Sequence, residues 1–254
     1  MNTVKIKNVV IGDGIPKICI SIAGKTKEEI IEQALSFANI HVDVAEWRVD
    51  WFNDVFEIEK VKDVLKDLVT ALNNIPLIFT FRTSKEGGEK AIDFKTYDKL
   101  NKAVAATGLV DMVDVEAFTG DEIVKDIIKS AHSSGVKVIA SNHDFGKTPS
   151  KDDIIYRLRK MQDLGADIPK IAVMPKSKLD VLELLEATVI MSEKYADRPI
   201  ITMSMSGMGV ISRLSGEVFG SALTFGAAKK ASAPGQIGVE DLYDGLQLIH
   251  KYSK

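Results

Sequence analysis

Lys170 lies inside an otherwise apolar run, Ile168-Pro169-Lys170-Ile171-Ala172-Val173-Met174, and that placement is the first chemical lead in the chain. Branched and apolar residues bounded by Gly165 and Pro175 read as a buried strand. Side chains alternate along a strand, so Ile171 and Val173 face one way while Lys170, Ala172 and Met174 face the other. Loss of water disfavours an ammonium. A lysine so placed is expected to be a neutral amine near pH 7, able to attack a carbonyl and form a Schiff base. The alternative is a lysine that reaches out of the strand end or pairs with a carboxylate.

Other chemistries lack their residues. The four histidines, His41, His132, His143 and His250, have no zinc-ligand spacing among themselves or with the single Cys19. No G-x-S-x-G elbow supports a serine hydrolase, and no G-x-G-x-x-G follows the first strand to bind a dinucleotide. Cys19 sits in an apolar run and reads as an inert buried thiol. What remains is a buried lysine, a histidine on the neighbouring strand, and guanidinium groups suited to a small hydroxylated acid.

The elements that must position these groups alternate regularly. After a short N-terminal hairpin around Gly12-Asp13-Gly14, strand-like runs fall near 17–22, 42–49, 76–82, 110–116, 136–142, 168–174, 199–205 and 221–225. Helix-like segments follow near 26–38, 56–73, 90–106, 119–133, 150–163, 177–195, 207–216 and 239–251. Three begin with cap signals: Thr26 with Glu29, Thr119 with Glu122, and Ser150 with Asp153. Eight such units, about 30 residues each, predict an α/β fold, a (β/α)8 TIM barrel. No linker or composition shift divides the chain, so residues 1–254 are expected to form one domain.

Active sites of this fold occupy the C-terminal strand ends and the loops after them. Strand one ends at Ser21, which either caps the next helix or touches a ligand. Strand two puts Glu46, Arg48 and Asp50 on the face opposite Trp47, pointing into the barrel. Strand three ends with Thr80 and Arg82, followed by a flexible, acidic loop, Thr83 to Glu89. Strand four brings Asp114 and Glu116, strand five His143, strand six Lys170, and strand seven Met203 and Met205. Buried charges are costly unless they are paired or meet a ligand, so Asp50, Asp114 and Glu116 either serve the site or pair structurally.

Together these residues resemble type I 3-dehydroquinate dehydratases of the shikimate pathway. The resemblance rests on Glu46-Trp47-Arg48-Val49-Asp50, Phe81-Arg82-Thr83 with Glu86-Gly87-Gly88, and Ser141-Asn142-His143-Asp144-Phe145. It continues through Lys170, Met203 to Gly209 with Arg213, and Ser232-Ala233-Pro234-Gly235-Gln236. It spans nearly the whole chain in the correct order. The resemblance implies a Schiff base between Lys170 and the ketone of 3-dehydroquinate, with His143 as general base and acid and Glu86 orienting the imidazole. It implies that Arg213 binds the substrate carboxylate. Ser21, Glu46, Arg48, Arg82, Met203, Met205, Phe225, Ser232, Ala233 and Gln236 complete the implied substrate site, and loop 226–236 reads as a lid. It implies no metal, no organic cofactor, and a homodimer. The rivals are a class I aldolase, which would want a backbone phosphate nest after strands seven and eight, and a barrel that binds a small acid without turnover.

Composition sets the remaining bounds. A net charge of −3 gives no electrostatic case for nucleic acid. No run approaches the ~18 apolar residues of a membrane span, and the N-terminus lacks the apolar core of a signal peptide. The chain is therefore expected to be soluble and cytoplasmic.

Overall fold

Inward-facing apolar residues at the start of each strand need a cover, and a hairpin supplies it. The computed structural model describes residues 3–228 and 233–253. β1 (Val4–Ile6) and β2 (Val9–Ile11) pair antiparallel, with Val4 opposite Ile11 and Ile6 opposite Val9. These four side chains pack against Cys19, Val44, Ile78, Met112, Ile139, Ile168, Ile201 and Leu223, which come from the first turns of eight successive strands. The hairpin thereby closes the N-terminal end of the barrel.

The barrel strands are β3 (Lys17–Ile22), β4 (Val44–Arg48), β5 (Leu77–Thr80), β6 (Met112–Glu116), β7 (Lys137–Asp144), β8 (Ile168–Val173), β9 (Ile201–Ser204) and β10 (Leu223–Ala227). Each pairs in parallel with the next, and β10 pairs with β3. The ring closes between β9 and β10 through a bridge of Ile200 with Ser221, where Ala222 N–H donates to the Ile200 carbonyl at 2.9 Å. A short β11 (Ile237–Gly238) adds to the end of β10. The expected (β/α)8 barrel with its N-terminal hairpin is the observed fold.

Outward residues of the strands meet the helices: α1 (Lys27–Ser36), α2 (Ile58–Leu72), α3 (Phe94–Ala105), α4 (Asp121–Ser133), α5 (Lys151–Asp163), α6 (Lys178–Ile190), α7 (Val210–Leu214), α8 (Gly216–Phe219) and α9 (Val239–Tyr252). Ala45, Trp47 and Val49 belong to this outer core, as their alternation predicts. Trp47 packs edge-on against Phe79 with ring centres 5.7 Å apart. Burying such side chains stabilises the barrel by roughly 1.5–3 kcal/mol each. No helix among the described residues is long and apolar enough to cross a membrane.

Two of the three cap signals hold: Thr26 accepts from Glu29 N–H and Ser150 from Asp153 N–H. The third does not. Gly120 is the N-cap of α4, and the Thr119 hydroxyl donates backwards to the Glu116 carbonyl at 2.9 Å. The segment expected as one helix over 207–216 is divided. Gly207–Gly209 forms a tight turn before α7, because residue 209 lies so close under β9 that a Cβ there would sit 2.2 Å from the Ser204 carbonyl oxygen. The predicted helix 177–195 ends at Ile190 and continues as a wider turn, Met191–Tyr195.

Candidate active site

The C-terminal mouth of the barrel holds a cavity of about 150 Å³. Lys170 reaches into it from β8, on the face opposite Ile171 and Val173, and is only 3% exposed. Its Nζ is not isolated. Asp114 Oδ2 lies 3.1 Å away and Glu46 Oε1 3.7 Å away. Of the two readings of this strand the structure takes part of each: the lysine is buried and inward, and it pairs with carboxylates from β6 and β4.

Arg82, just beyond β5, organises the floor. Its Nη2 meets Asp114 Oδ1 at 2.6 Å, and its Nη1 donates to Glu116 at 3.1 Å and to the Ser141 hydroxyl at 2.9 Å. Glu116 also accepts from Thr83 N–H at 2.7 Å and from the Thr83 hydroxyl at 2.8 Å. Burial opposes ionisation of Asp114, yet Arg82 and Lys170 together hold its carboxyl well below the usual carboxylate range. Burial likewise works against the Arg82 charge, and Asp114 and Glu116 reverse it, so its guanidinium is held even more firmly protonated. Asp50 forms a two-pronged bond with Arg48, 2.8 Å to Nε and 2.8 Å to Nη2. Asp50, Asp114 and Glu116 are thus satisfied by protein partners, and none of the three borders the cavity.

His143, near the end of β7, is fixed by Glu86. One carboxylate oxygen accepts the His143 backbone N–H at 2.9 Å and lies 3.0 Å from Nδ1, while the other accepts from Asn142 at 3.1 Å. A proton on Nδ1 satisfies that contact and leaves Nε2 as the ring's free acceptor. Burial, followed by the charges of Arg82 and Lys170, pushes the imidazole well below its ordinary value. The ring is thus neutral at neutral pH, which is the form a base needs. Burial raises Glu86 in turn, against the pull of Arg82.

The loop carrying Glu86 is anchored rather than loose. Ser84 N–H donates to the Lys90 carbonyl at 2.9 Å and Gly88 N–H to the Thr83 carbonyl at 2.8 Å. A Cβ on Gly88 would lie 1.9 Å from the Arg82 carbonyl oxygen, so only glycine lets this turn seat against the strand end.

Arg213, on α7, differs from the other arginines. It is 1% exposed, and among the described residues no carboxylate pairs with it. Its Nη2 donates to the Pro234 carbonyl at 3.1 Å, and its Nε has no partner among the described residues. Burial lowers its pKa to about 10, which still leaves a full positive charge at neutral pH. A buried guanidinium with no carboxylate partner among the described residues has the chemistry to bind an anion. Pro234 itself is pinned where Ser206 N–H donates to its carbonyl at 3.2 Å. Segment 233–236 therefore lies across the cavity mouth.

Met203, Met205 and Phe225 supply apolar wall, and Ala233 and Gln236 border the mouth. Ser21 does not cap α1, which Thr26 does, but donates to Glu46 at 2.6 Å; Thr80 donates to the other oxygen of Glu46 at 3.0 Å. All the catalytic and substrate-site residues implied by the resemblance border this one cavity except Ser232, which lies outside the described residues. Ala172 and Pro234 border it too, and strand alternation with Lys170 marks the first of these. The described residues hold no cluster of three or more His, Cys, Asp or Glu arranged for a metal ion.

A family model of type I 3-dehydroquinase matches residues 18–253. The chain belongs to the type I 3-dehydroquinase family. A 3-dehydroquinate dehydratase from Clostridium botulinum is 58% identical over 248 residues, covering 98% of each chain. The crystal structure of a type I 3-dehydroquinate dehydratase from Clostridium difficile, solved with covalently modified comenic acid, is 58% identical with a TM-score of 0.96 and covers 98% of each chain. A 3-dehydroquinate dehydratase structure from Geobacillus kaustophilus, only 35% identical, also reaches a TM-score of 0.96, covering 100% of this chain and 98% of its own.

Proposed function

We propose that this chain dehydrates 3-dehydroquinate to 3-dehydroshikimate in the shikimate pathway, through a Schiff base on Lys170. The observation that carries the reading is one cavity that brings together a buried lysine, a neutral histidine and a guanidinium with no counter-ion among the described residues. Arg213 takes the substrate carboxylate, which sets the ketone against Lys170. Lys170 must shed a proton to attack, and the neutral imidazole of His143 on the adjacent strand is the available acceptor. His143 then returns that proton to the hydroxyl of the carbinolamine, which leaves as water, making the ring neutral again and giving the iminium. Asp114, held as a carboxylate by Arg82, remains as its counter-charge. An iminium is a stronger electron sink than a ketone, so His143 can remove the adjacent C–H proton. The leaving hydroxyl then takes a proton from His143 and departs as water, and hydrolysis of the product imine frees Lys170. The covalently modified ligand in the Clostridium difficile relative supports a site of this reactivity. Adding 3-dehydroquinate should raise the ultraviolet absorbance of a conjugated enone; no rise would end the reading.

The aldolase rival is weakened by the turn after β9. Ser206 N–H already donates to Pro234 and Gly209 N–H to Ser206, so these amides are not free to cradle a phosphate. A barrel that only binds a small acid predicts binding without the enone signal.

Arg213→Ala should raise KM by about 10- to 100-fold, the value of charged hydrogen bonds in a dry site. Initial-rate kinetics with KM unchanged would remove Arg213 from the substrate site. A pH prediction follows from His143. Its base form is lost only as pH falls through a depressed pKa, so the acidic limb of kcat should lie below pH 6.5, the ordinary imidazole value. Burial holds the Glu86 carboxyl up to about 7, so at the pH of that limb it is largely protonated, and Glu86→Ala should lower kcat by freeing the ring it orients while moving the limb little. A limb that stays put with full activity would mean the two residues do not communicate.

We further propose that residues 1–254 work as one barrel domain and as a cytoplasmic homodimer without cofactors. Leu179 and Leu182 on α6 and Val218 on α8 stand 73%, 59% and 57% exposed on helices that pack together, which supports an apolar contact between copies. Sedimentation of the chain as a monomer would remove the dimer.

A further inference from the structure

Lys170 has another close neighbour that none of these steps uses. Its Nζ lies 4.5 Å from the centre of the Phe225 ring. Phe225 is 5% exposed on the inward face of β10, and β9 lies between that strand and β8. The two side chains therefore meet across the mouth of the barrel rather than as paired neighbours. The face of an aromatic ring carries partial negative charge and attracts a cation within about 6 Å, more strongly where water is excluded.

We propose that Phe225 is an electrostatic partner of the reacting nitrogen, its ring face holding the positive charge on Lys170 first as ammonium and then as iminium. The inference rests on the Schiff-base reading. Lys170 donates a hydrogen bond to Asp114 of β6 at 3.1 Å, and Glu46 of β4 faces the nitrogen as an ion-pair partner at 3.7 Å. Cys19 of β3 and His143 of β7 interact with the same inner region, and Arg48, Arg82, Glu86 and Arg213 face the cavity around it. An ammonium offers three N–H donors, but a protonated imine keeps only one. As the imine forms, the nitrogen has one N–H left to share between the hydrogen bond to Asp114 and the charge of Glu46. A ring face needs no N–H, so it goes on stabilising the charge after those donors are lost. Its effect is to disfavour every neutral state at that nitrogen and to keep the imine protonated, and so an electron sink, at higher pH.

The test replaces Phe225 with 4-fluoro-, 3,5-difluoro- and 3,4,5-trifluorophenylalanine, which keep nearly the same shape while draining charge from the ring face. The alkaline limb of kcat against pH should move to lower pH in the order of fluorine content, by about one pH unit across the series. The acidic limb should stay in place. Phe225→Leu, apolar but without a ring, should fall at the far end of the series. Borohydride trapping runs alongside. An alkaline limb that ignores fluorine content, while an adduct still forms on Lys170, overturns the inference and leaves the Schiff-base reading standing. Absence of any adduct in the unsubstituted protein overturns that reading, and the inference with it.

Discussion

Lys170→Ala is expected to lower kcat by roughly four orders of magnitude or more, as loss of a covalent nucleophile does. Borohydride added during turnover of the unsubstituted protein should reduce the C=N bond and inactivate it irreversibly. Peptide mass analysis should then find the added ligand on the peptide containing Lys170, and the variant should gain none. The ion pair complicates the alanine variant, because it leaves Asp114 buried with one cation fewer. Breaking a buried pair costs roughly 3–5 kcal/mol, but Asp114 keeps its 2.6 Å contact with Arg82, so the loss should fall short of that range. Lys170→Arg separates the two effects. It retains a positive charge for Asp114 and Glu46 but cannot form the imine, so it should fold well and still be inactive. Residual substrate binding through Arg213 is expected in both variants. A trapped adduct on another lysine, or undiminished turnover in either variant, would sink the mechanism.

The fold was largely legible because its signals are local. Runs of branched and apolar residues, bounded by Gly165 and Pro175 in the strand of Lys170, marked the barrel strands, and all eight observed strands fall within two or three residues of the expected runs. Thr26 and Ser150 cap their helices as a side chain three residues from its amide partner can. The misreadings came where the backbone turn leaving a strand end overrode the helix spelling. Thr119 fits the cap spelling, but its hydroxyl turns back to the Glu116 carbonyl at the end of β6 and Gly120 takes the cap position. The run after β9 looks helical, yet the close approach of Gly209 to Ser204 forces a tight turn before α7 can start.

For the site, strand alternation and the barrel rule were enough to bring the right residues to one end. Their electrostatics were not legible, because these depend on neighbours far apart in sequence. Lys170 and Asp114 are 56 positions apart and meet only because β6, β7 and β8 lie side by side in one register. A lysine in an apolar strand therefore left pairing with a carboxylate open, without saying which carboxylate. The same holds for His143. Its sequence neighbours give no hint that Arg82 and Lys170 would add to burial in keeping the ring neutral.

His143→Ala should differ in kind from Lys170→Ala. The fold should tolerate it, because Glu86 keeps the backbone N–H of residue 143 at 2.9 Å and the Asn142 amide at 3.1 Å. Removing a general acid–base group lowers kcat by about 10²- to 10⁴-fold. The nucleophile is intact, so the imine still forms, more slowly because Lys170 must give its proton to solvent or buffer. What stalls is removal of the C–H proton from the iminium. The covalent species should therefore accumulate under saturating 3-dehydroquinate, visible as an intact-mass increase that borohydride makes permanent. In the unsubstituted protein the same species turns over and should be less abundant at steady state. Small imidazole-like bases added to His143→Ala should recover part of the rate if the cavity left by the ring admits them. A variant that loses turnover without building up a trappable adduct would mean that His143 acts before the imine, as the acceptor of the Lys170 proton, rather than after it. Full activity would remove His143 from the chemistry and leave the neutral imidazole, fixed by Glu86 beside the lysine, without a task.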